Sequence, residues 1–381
     1  MARKVVHVAL NGVTGRMGYR QHLVRSLLAI REQGGIALGD GTSLYPEPVL
    51  VGRSEDKLRA IAERHGLSRW TTSLDEVLGD PDIGVYFDTQ VTSAREGAVA
   101  RAIAAGKDVY TEKPVAASAA AAFALAEAAR AAGITHGVVQ DKLFLPGMIK
   151  LRRLVREGFF GRVLSVRLEF GYWVFEGDGF PAQRPSWNYR AEDGGGIVLD
   201  MFPHWHYLLE ELFGQVTAVY ARRATHLPKR WDEAGKPYDV TADDAAYAVL
   251  EFAGGVIGSV NSSWAVRVNR RELLELQVDG THGSAVAGLR GCAVQHKVST
   301  PMPVWNPDLP DPLDYPAMWT EVPDNVALDN GFKAQWELFL RAAARGEPFP
   351  WDLFAGARGV QLAELAALSS DEGRRVQVPG A

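Results

Sequence analysis

The stretch Val5-Val-His-Val-Ala-Leu10-Asn-Gly12-Val-Thr-Gly15-Arg-Met-Gly18 decides the reading of this chain. Val5 to Leu10 is apolar except for His7, the pattern of a strand buried on both faces. Gly12, Gly15 and Gly18 follow at once. Leu23, Leu27 and Ile30 then recur at helical spacing, with Val24 and Leu28 beside them. Strand, turn and helix in that order give G-x-x-G-x-x-G, a variant of the dinucleotide fingerprint. Glycines let the backbone turn tightly and approach a pyrophosphate, which meets the positive end of the helix. Gly12, Thr14, Gly15, Arg16, Met17 and Gly18 are therefore expected to bind a dinucleotide; the alternative is a plain tight turn.

Strand and helix patterns keep alternating around this unit. Pro48 to Val51, Ile83 to Phe87, Val109 to Thr111 and the region of Val138 and Val139 read as strands. Lys57 to His65, Ser93 to Ala105 and an Ala-rich run ending at Gly133 read as helices. This order predicts a doubly wound, parallel Rossmann sheet over residues 1–138. Residues 139–381 change style. Val163 to Phe170, Val216 to Ala221, Ala245 to Phe252, Val256 to Ser263 and Leu273 to Val278 alternate like strands with one wet face. Gly254-Gly255 marks a hairpin. The expectation is an α+β domain with a large, mainly antiparallel open sheet, closed by helices from Gly331 to Ser370. Gly34 to Pro48 and the proline-rich Ser299 to Asn325 read as long loops.

Composition excludes several classes. The chain has 381 residues, 47% of them hydrophobic, and a net charge of −5, so nucleic acid is not an expected partner. One cysteine, Cys292, leaves no disulfide framework and no CxxC metal cluster. His204-Trp-His206 invites a metal, but residues i and i+2 diverge on a helix; no metal is expected, and His206 reads as pocket lining. No apolar run is long enough for a signal peptide or a membrane span, so the expected location is cytoplasmic.

At the end of the second strand an Asp or Glu would receive the ribose 2′-hydroxyl. Gly52-Arg53-Ser54 stands there instead. Arg53 and Ser54 are thus expected to favour a 2′-phosphate, and NADP over NAD; an arginine stacked on adenine or in water is the alternative.

Two further segments, Ala105-Gly106-Lys-Asp-Val-Tyr-Thr-Glu112-Lys113-Pro114 and Gly194-Gly-Gly-Ile-Val-Leu-Asp200-Met-Phe-Pro-His204, carry a family resemblance. Together with Ala242-Asp-Asp-Ala-Ala and Val278-Asp-Gly-Thr-His-Gly-Ser, they make the chain resemble the glucose–fructose oxidoreductase / inositol dehydrogenase (Gfo/Idh/MocA) family along its full length. The resemblance implies hydride transfer between a sugar or polyol carbinol carbon and NAD(P). It also implies association, as a homodimer or homotetramer, through the open sheet. Lys113 matches the family lysine at the junction of cofactor and substrate, and Asp200 and His204 match its acid and histidine. Glu112 and Thr89 fall on cofactor-contacting positions. Two departures stand out. Thr89 is kept, but Gln90 and Ala94 replace a proline and a histidine. Phe202 and Tyr207 replace a glycine and an acid around His204, the former suggesting a more apolar substrate face.

The chemistry suits these residue types. Oxidising an alcohol needs a base, and an imidazole titrates near working pH. An ammonium beside the reacting oxygen stabilises alkoxide charge, or itself shuttles the proton. Asp200 and His204, at i and i+4, share a helix face, where the acid binds or orients substrate; a capping acid and a core histidine are the plain alternative. Lys142, Tyr172, Trp187, Asn188 and Arg190 are candidate substrate contacts, offering aromatic faces and polar donors to a sugar ring. Redox-neutral NAD-dependent glycoside hydrolysis and a non-catalytic cofactor sensor are the competing functions.

Overall fold

The computed structural model describes residues 2–267, 272–300, 308, 314 and 316–380. It divides into two compact units, one of Met1–Phe144 with Asp329–Gln361, the other of Leu145–Leu328 with Leu362–Ala381. The first unit therefore takes back residues 329–361, which a boundary at 138 had assigned to the second domain.

The strands of the first unit are β1 (Ala2–Asn11), β2 (Ile36–Ala37), β3 (Thr42–Val51), β4 (Trp70–Thr71), β5 (Ile83–Asp88), β6 (Asp108–Thr111) and β7 (His136–Val138). Six lie in the order β2-β3-β1-β5-β6-β7, with β4 on β3, and every pairing is parallel except β2 with β3. Alternation along β1 explains the two cores. Val8 and Leu10 pack with Leu23, Leu27 and Ile30 of the following helix and with Trp336, Phe339 and Leu340 of helix Gly331–Arg345. Ala9 points the other way, into the side chains of helices Thr92–Ala104 and Ala119–Ala132. Both faces are covered, so the buried stretches Val8 to Leu10 and Val49 to Val51 are continuously apolar. Fully burying one such leucine contributes about 1.5–3 kcal/mol.

Part of the loop expected at 34–48 is strand. Thr42 to Pro48 pair with β1 in register, Val6 opposite Pro46 and Val8 opposite Pro48. The missing proline N–H groups are tolerated because β2 pairs only at Leu44 and Ser43, and β4 only at Leu50 and Val51. The other expected loop, Ser299 to Asn325, lies largely outside the described residues.

The second unit holds β8 (Val163–Phe170), β9 (Val216–Ala224), β10 (Lys229–Trp231), β11 (Pro237–Asp239), β12 (Ala245–Phe252), β13 (Ile257–Ser263), β14 (Leu274–Gly280), β15 (Gly283–Ala287), β16 (Cys292–His296), β17 (Thr320–Glu321) and β18 (Val376–Gln377). Nine form one sheet in the order β17-β16-β15-β14-β8-β13-β12-β9-β18; only β8 with β13 is parallel. Helix Ile197–Phe213 packs on β9, β12 and β13. Leu164, Tyr220, Tyr247, Val249 and Ile257 are exposed large apolar residues of this sheet. Among the described residues no helix is long and apolar enough to cross a membrane.

Candidate active site

The glycine turn is built by close backbone contact. Gly12 N–H donates to Val51 O (3.1 Å) and Thr89 N–H to Asn11 O (2.9 Å), tying the turn to the ends of β3 and β5. Gly12 has φ +86°, and a Cβ there would lie 2.9 Å from the Thr89 carbonyl carbon. A Cβ on Gly18 would lie 2.8 Å from Gly12 O. Neither position tolerates a side chain without movement. Thr14 and Met17 are half-buried and Arg16 is exposed around this cradle. The helix begins at Gly18 with π winding to Leu28 before turning α-helical; Ser26 Oγ donates to Gln21 O at 2.7 Å. A bare backbone turn ahead of helical N–H groups fits a pyrophosphate.

Beside the turn, a cavity of about 370 Å³ is lined by Asn11, Gly52, Arg53, Thr72, Gln90 and Arg101, among others. Ser54 precedes helix Glu55–His65, its carbonyl accepting Leu58 N–H at 3.1 Å. Arg101, which no sequence pattern marks, pairs with Asp75. Beneath lies a buried polar network. Asn11 Nδ2 donates to Tyr86 Oη (2.8 Å) and Gln90 Oε1 (3.0 Å), and Tyr86 Oη donates to Asp88 Oδ2 (2.7 Å). Asp88 Oδ1 accepts from Gln90 N (2.9 Å) and Arg95 Nε (3.3 Å), and Arg95 also donates to Pro114 O. Burial pushes the Asp88 carboxyl above its ordinary value even with Arg95 opposing it. Gln90, where the family usually has proline, supplies a side-chain acceptor to Asn11 and a backbone donor to Asp88.

Glu112 is buried at the end of β6, and both its oxygens are engaged within the protein: Oε1 with His22 Nε2 (2.8 Å), Oε2 with Lys113 N–H (3.1 Å). Burial works to raise its pKa, but the His22 hydrogen bond and the positive charges around it, that of His22 when protonated and those of Lys113 and Arg95, outweigh it, leaving the carboxyl below its ordinary value. Lys142 pairs with Asp141 at 2.6 Å.

In the second unit, three glycines shape the entry to helix Ile197–Phe213. Gly194 (φ +77°) and Gly196 (φ +123°) take left-handed backbone, and a Cβ on Gly195 would lie 2.5 Å from Asn188 O. Asp243 caps the helix, accepting Ile197 N–H on its carbonyl (3.0 Å) and Val198 N–H on Oδ2 (2.9 Å). Burial raises the pKa of this cap. Asp200 lies in the first turn, and His204 one turn on. Asp200 Oδ2 accepts from Arg184 Nη1 at 2.7 Å, and the same nitrogen donates to Asn188 Oδ1 at 3.1 Å. The Arg184 guanidinium sits 4.4 Å from the Trp264 ring centroid. His204 is buried, and its Nδ1 meets Tyr207 Oη at 2.8 Å.

The second unit thus brings Asp200 and Asn188 onto one guanidinium, Arg184, which sequence reasoning missed because it sits in a loop without periodicity. Tyr172 is half-buried, Trp187 is 45% exposed, and Arg190 lies 4.6 Å from the Tyr238 ring. Phe202 is fully buried, so the apolar substrate face expected there is core packing instead. His206 faces Glu210 at 3.5 Å.

Residues 7–139 match the model of the oxidoreductase family with an NAD-binding Rossmann fold, and residues 148–286 match the GFO/IDH/MocA C-terminal domain. A "D-xylose dehydrogenase" of Paenarthrobacter nicotinovorans is 58% identical over 379 residues, 98% of each chain. A levoglucosan dehydrogenase of Pseudarthrobacter phenanthrenivorans is 27% identical over 265 residues, 64% of this chain and 66% of the relative. The fold of a levoglucosan dehydrogenase solved with NADH and levoglucosan superposes with a TM-score of 0.82, at 20% identity, over 99% of this chain and 100% of that one. With the glycine cradle, the Glu112-Lys113-Pro114 segment and the Asp200–His204 helix in place, these matches show that the chain belongs to the Gfo/Idh/MocA family and is a nicotinamide-dependent oxidoreductase.

Proposed function

We propose that this protein is an aldose dehydrogenase, with D-xylose or a close pentose as substrate. The single observation that carries the proposal is the 58% identity to a D-xylose dehydrogenase across 98% of both chains. That relative also favours net oxidation over redox-neutral glycoside hydrolysis. Bound NAD(P) supplies the hydride acceptor. His204 takes the hydroxyl proton, its Nδ1 lying 2.8 Å from Tyr207 Oη. Lys113 stabilises the developing alkoxide charge. Asp200, held by Arg184, orients a sugar hydroxyl, and Lys142, Tyr172, Trp187, Asn188 and Arg190 stand as candidate contacts.

The same proposal extends to cofactor choice and assembly. Gly52 in place of an acid, with Arg53 and Arg101 both on the cavity wall, supports NADP over NAD. Arg53→Ala is expected to weaken NADP more than NAD; equal losses would end the 2′-phosphate argument. The exposed apolar side chains of the nine-stranded sheet support pairing with a second copy. The deciding assay follows absorbance at 340 nm with D-xylose, other aldoses and levoglucosan, each with NAD and NADP. Turnover with D-xylose at least tenfold above the other sugars is expected. Background rates with every aldose would sink the proposal.

A further inference from the structure

Lys113 hangs from a buried chain of hydrogen bonds with a readable direction. Trp336 Nε1 lies 3.0 Å from His22 Nδ1, and His22 Nε2 lies 2.8 Å from Glu112 Oε1. An indole nitrogen can only donate, so His22 Nδ1 is the acceptor. The hydrogen of the neutral imidazole is then on Nε2, aimed at the Glu112 carboxylate. Glu112 Oε2 in turn accepts the Lys113 backbone N–H at 3.1 Å. The donors and acceptors alternate without conflict from Trp336 to the backbone of Lys113.

The surroundings leave the imidazole little freedom. His22 has no solvent exposure, and the rings of Phe87 and Phe332 lie 4.3 and 5.2 Å from its centroid. Trp336 is also fully buried. The three side chains come from helix Gly18–Glu32, the end of β6 and helix Gly331–Arg345. The first of these also opens the dinucleotide turn. A buried carboxylate deprived of its donor is left with an uncompensated desolvation cost, and it relieves that cost by moving or by taking a proton. Either response alters the acceptor on which Lys113 N–H rests.

We propose that Trp336, His22 and Glu112 form a positioning relay that sets Lys113 for catalysis. Trp336 selects the imidazole tautomer, His22 anchors the carboxylate, and Glu112 fixes the backbone from which the ammonium is presented. The relay rests on the role given to Lys113 above. It adds two residues, His22 and Trp336, both fully buried.

A double-mutant cycle tests it. His22→Ala should lower kcat about tenfold, with the dinucleotide Kd and the sugar KM nearly unchanged. In a Lys113→Ala background the same substitution should change kcat less than twofold, because the group it positions is gone. His22→Gln, which keeps an N–H donor, should recover part of the loss. Trp336→Phe, which keeps the ring and removes the N–H, should follow His22→Ala with a smaller loss, and serves if His22→Ala does not fold. Equal losses in both backgrounds would reveal a merely structural role and overturn the relay. An unchanged kcat in His22→Ala and Trp336→Phe, with Lys113→Ala impaired, would overturn it as well. If Lys113→Ala itself retains kcat, the role of Lys113 fails first, a result distinct from the other two.

Discussion

Lys113 and His204 are held in different ways. The carboxylate under Lys113 is anchored by a histidine 90 residues before it, and that histidine is met by a tryptophan 314 residues from it in sequence. The imidazole of His204 is met by a tyrosine three residues on, and Asp200 by an arginine 16 residues back. The first arrangement is deep, apolar-walled and formed by three packed elements. The second uses one helix and the loop before it, with the Arg184 and Asp200 side chains each 22% exposed. A cofactor is the same molecule for every substrate, so its side of the chemistry tolerates a rigid, long-range frame. On the proposed function, substrate contacts built from local neighbours can change one or two residues at a time, and Tyr207 in place of an acid would be such a change.

The largest expected effect falls on the locally held side. His204→Asn should lower kcat by about 10²–10⁴-fold while the dinucleotide Kd holds. Steady-state kinetics beside a binding titration would check this, and an intact kcat would remove His204 as base. Gly18→Ala probes the rigid frame. Its Cβ would need space 2.8 Å from Gly12 O, so we expect a loss of about 1–3 kcal/mol in folding stability and weaker dinucleotide binding. Denaturant titration with and without cofactor measures both, and wild-type behaviour would contradict the close-contact account. A smaller change is expected from Tyr207→Phe, about tenfold in kcat. Tyr207→Asp, which restores the family's acid, should keep more activity than Phe; the reverse order would show that the tyrosine does not hold the imidazole.

The last expected effect is on stability and its pH dependence. The Glu112 carboxyl sits below its ordinary pKa of 4.5 in the folded protein, so it binds protons less readily there than in the unfolded chain. Its contribution is therefore full above about pH 4.5 and fades as pH falls through the lower folded value. Wild type should exceed Glu112→Gln by about 1–3 kcal/mol at pH 7, with the gap narrowing under acid. A pH-independent gap in denaturant unfolding would mean that the carboxylate's charge is irrelevant to its hold on Lys113.

Much of the fold was legible because burial imposes period. Val163–Phe170 and Ala245–Phe252 alternate between buried and less buried positions over most of their length, and Gly106 and Gly133 stand at helix ends with positive φ. β3 was legible only from Pro48 onward, since Pro46 and Pro48 look like loop residues until β1 is seen pairing beside them. The glycine turn was readable because each glycine answers a local backbone demand. Arg184, Arg101, Arg95 and His22 were not, because nothing in their own neighbourhood differs from an ordinary loop or helix face.

Sequence alone determined the strand–turn–helix around Gly12, Gly15 and Gly18, the family, and the candidates Lys113, Asp200 and His204. The first depends on spacing within one element, the family and its candidates on whole motifs that resemble known relatives, and both are written in the chain. Tertiary structure decided that His22 meets Glu112 inside the protein, that Phe202 is core, and that residues 329–361 rejoin the first unit. Each is a matter of which distant groups satisfy a buried polar atom or fill a space beside a sheet, and no local pattern encodes a partner hundreds of residues away.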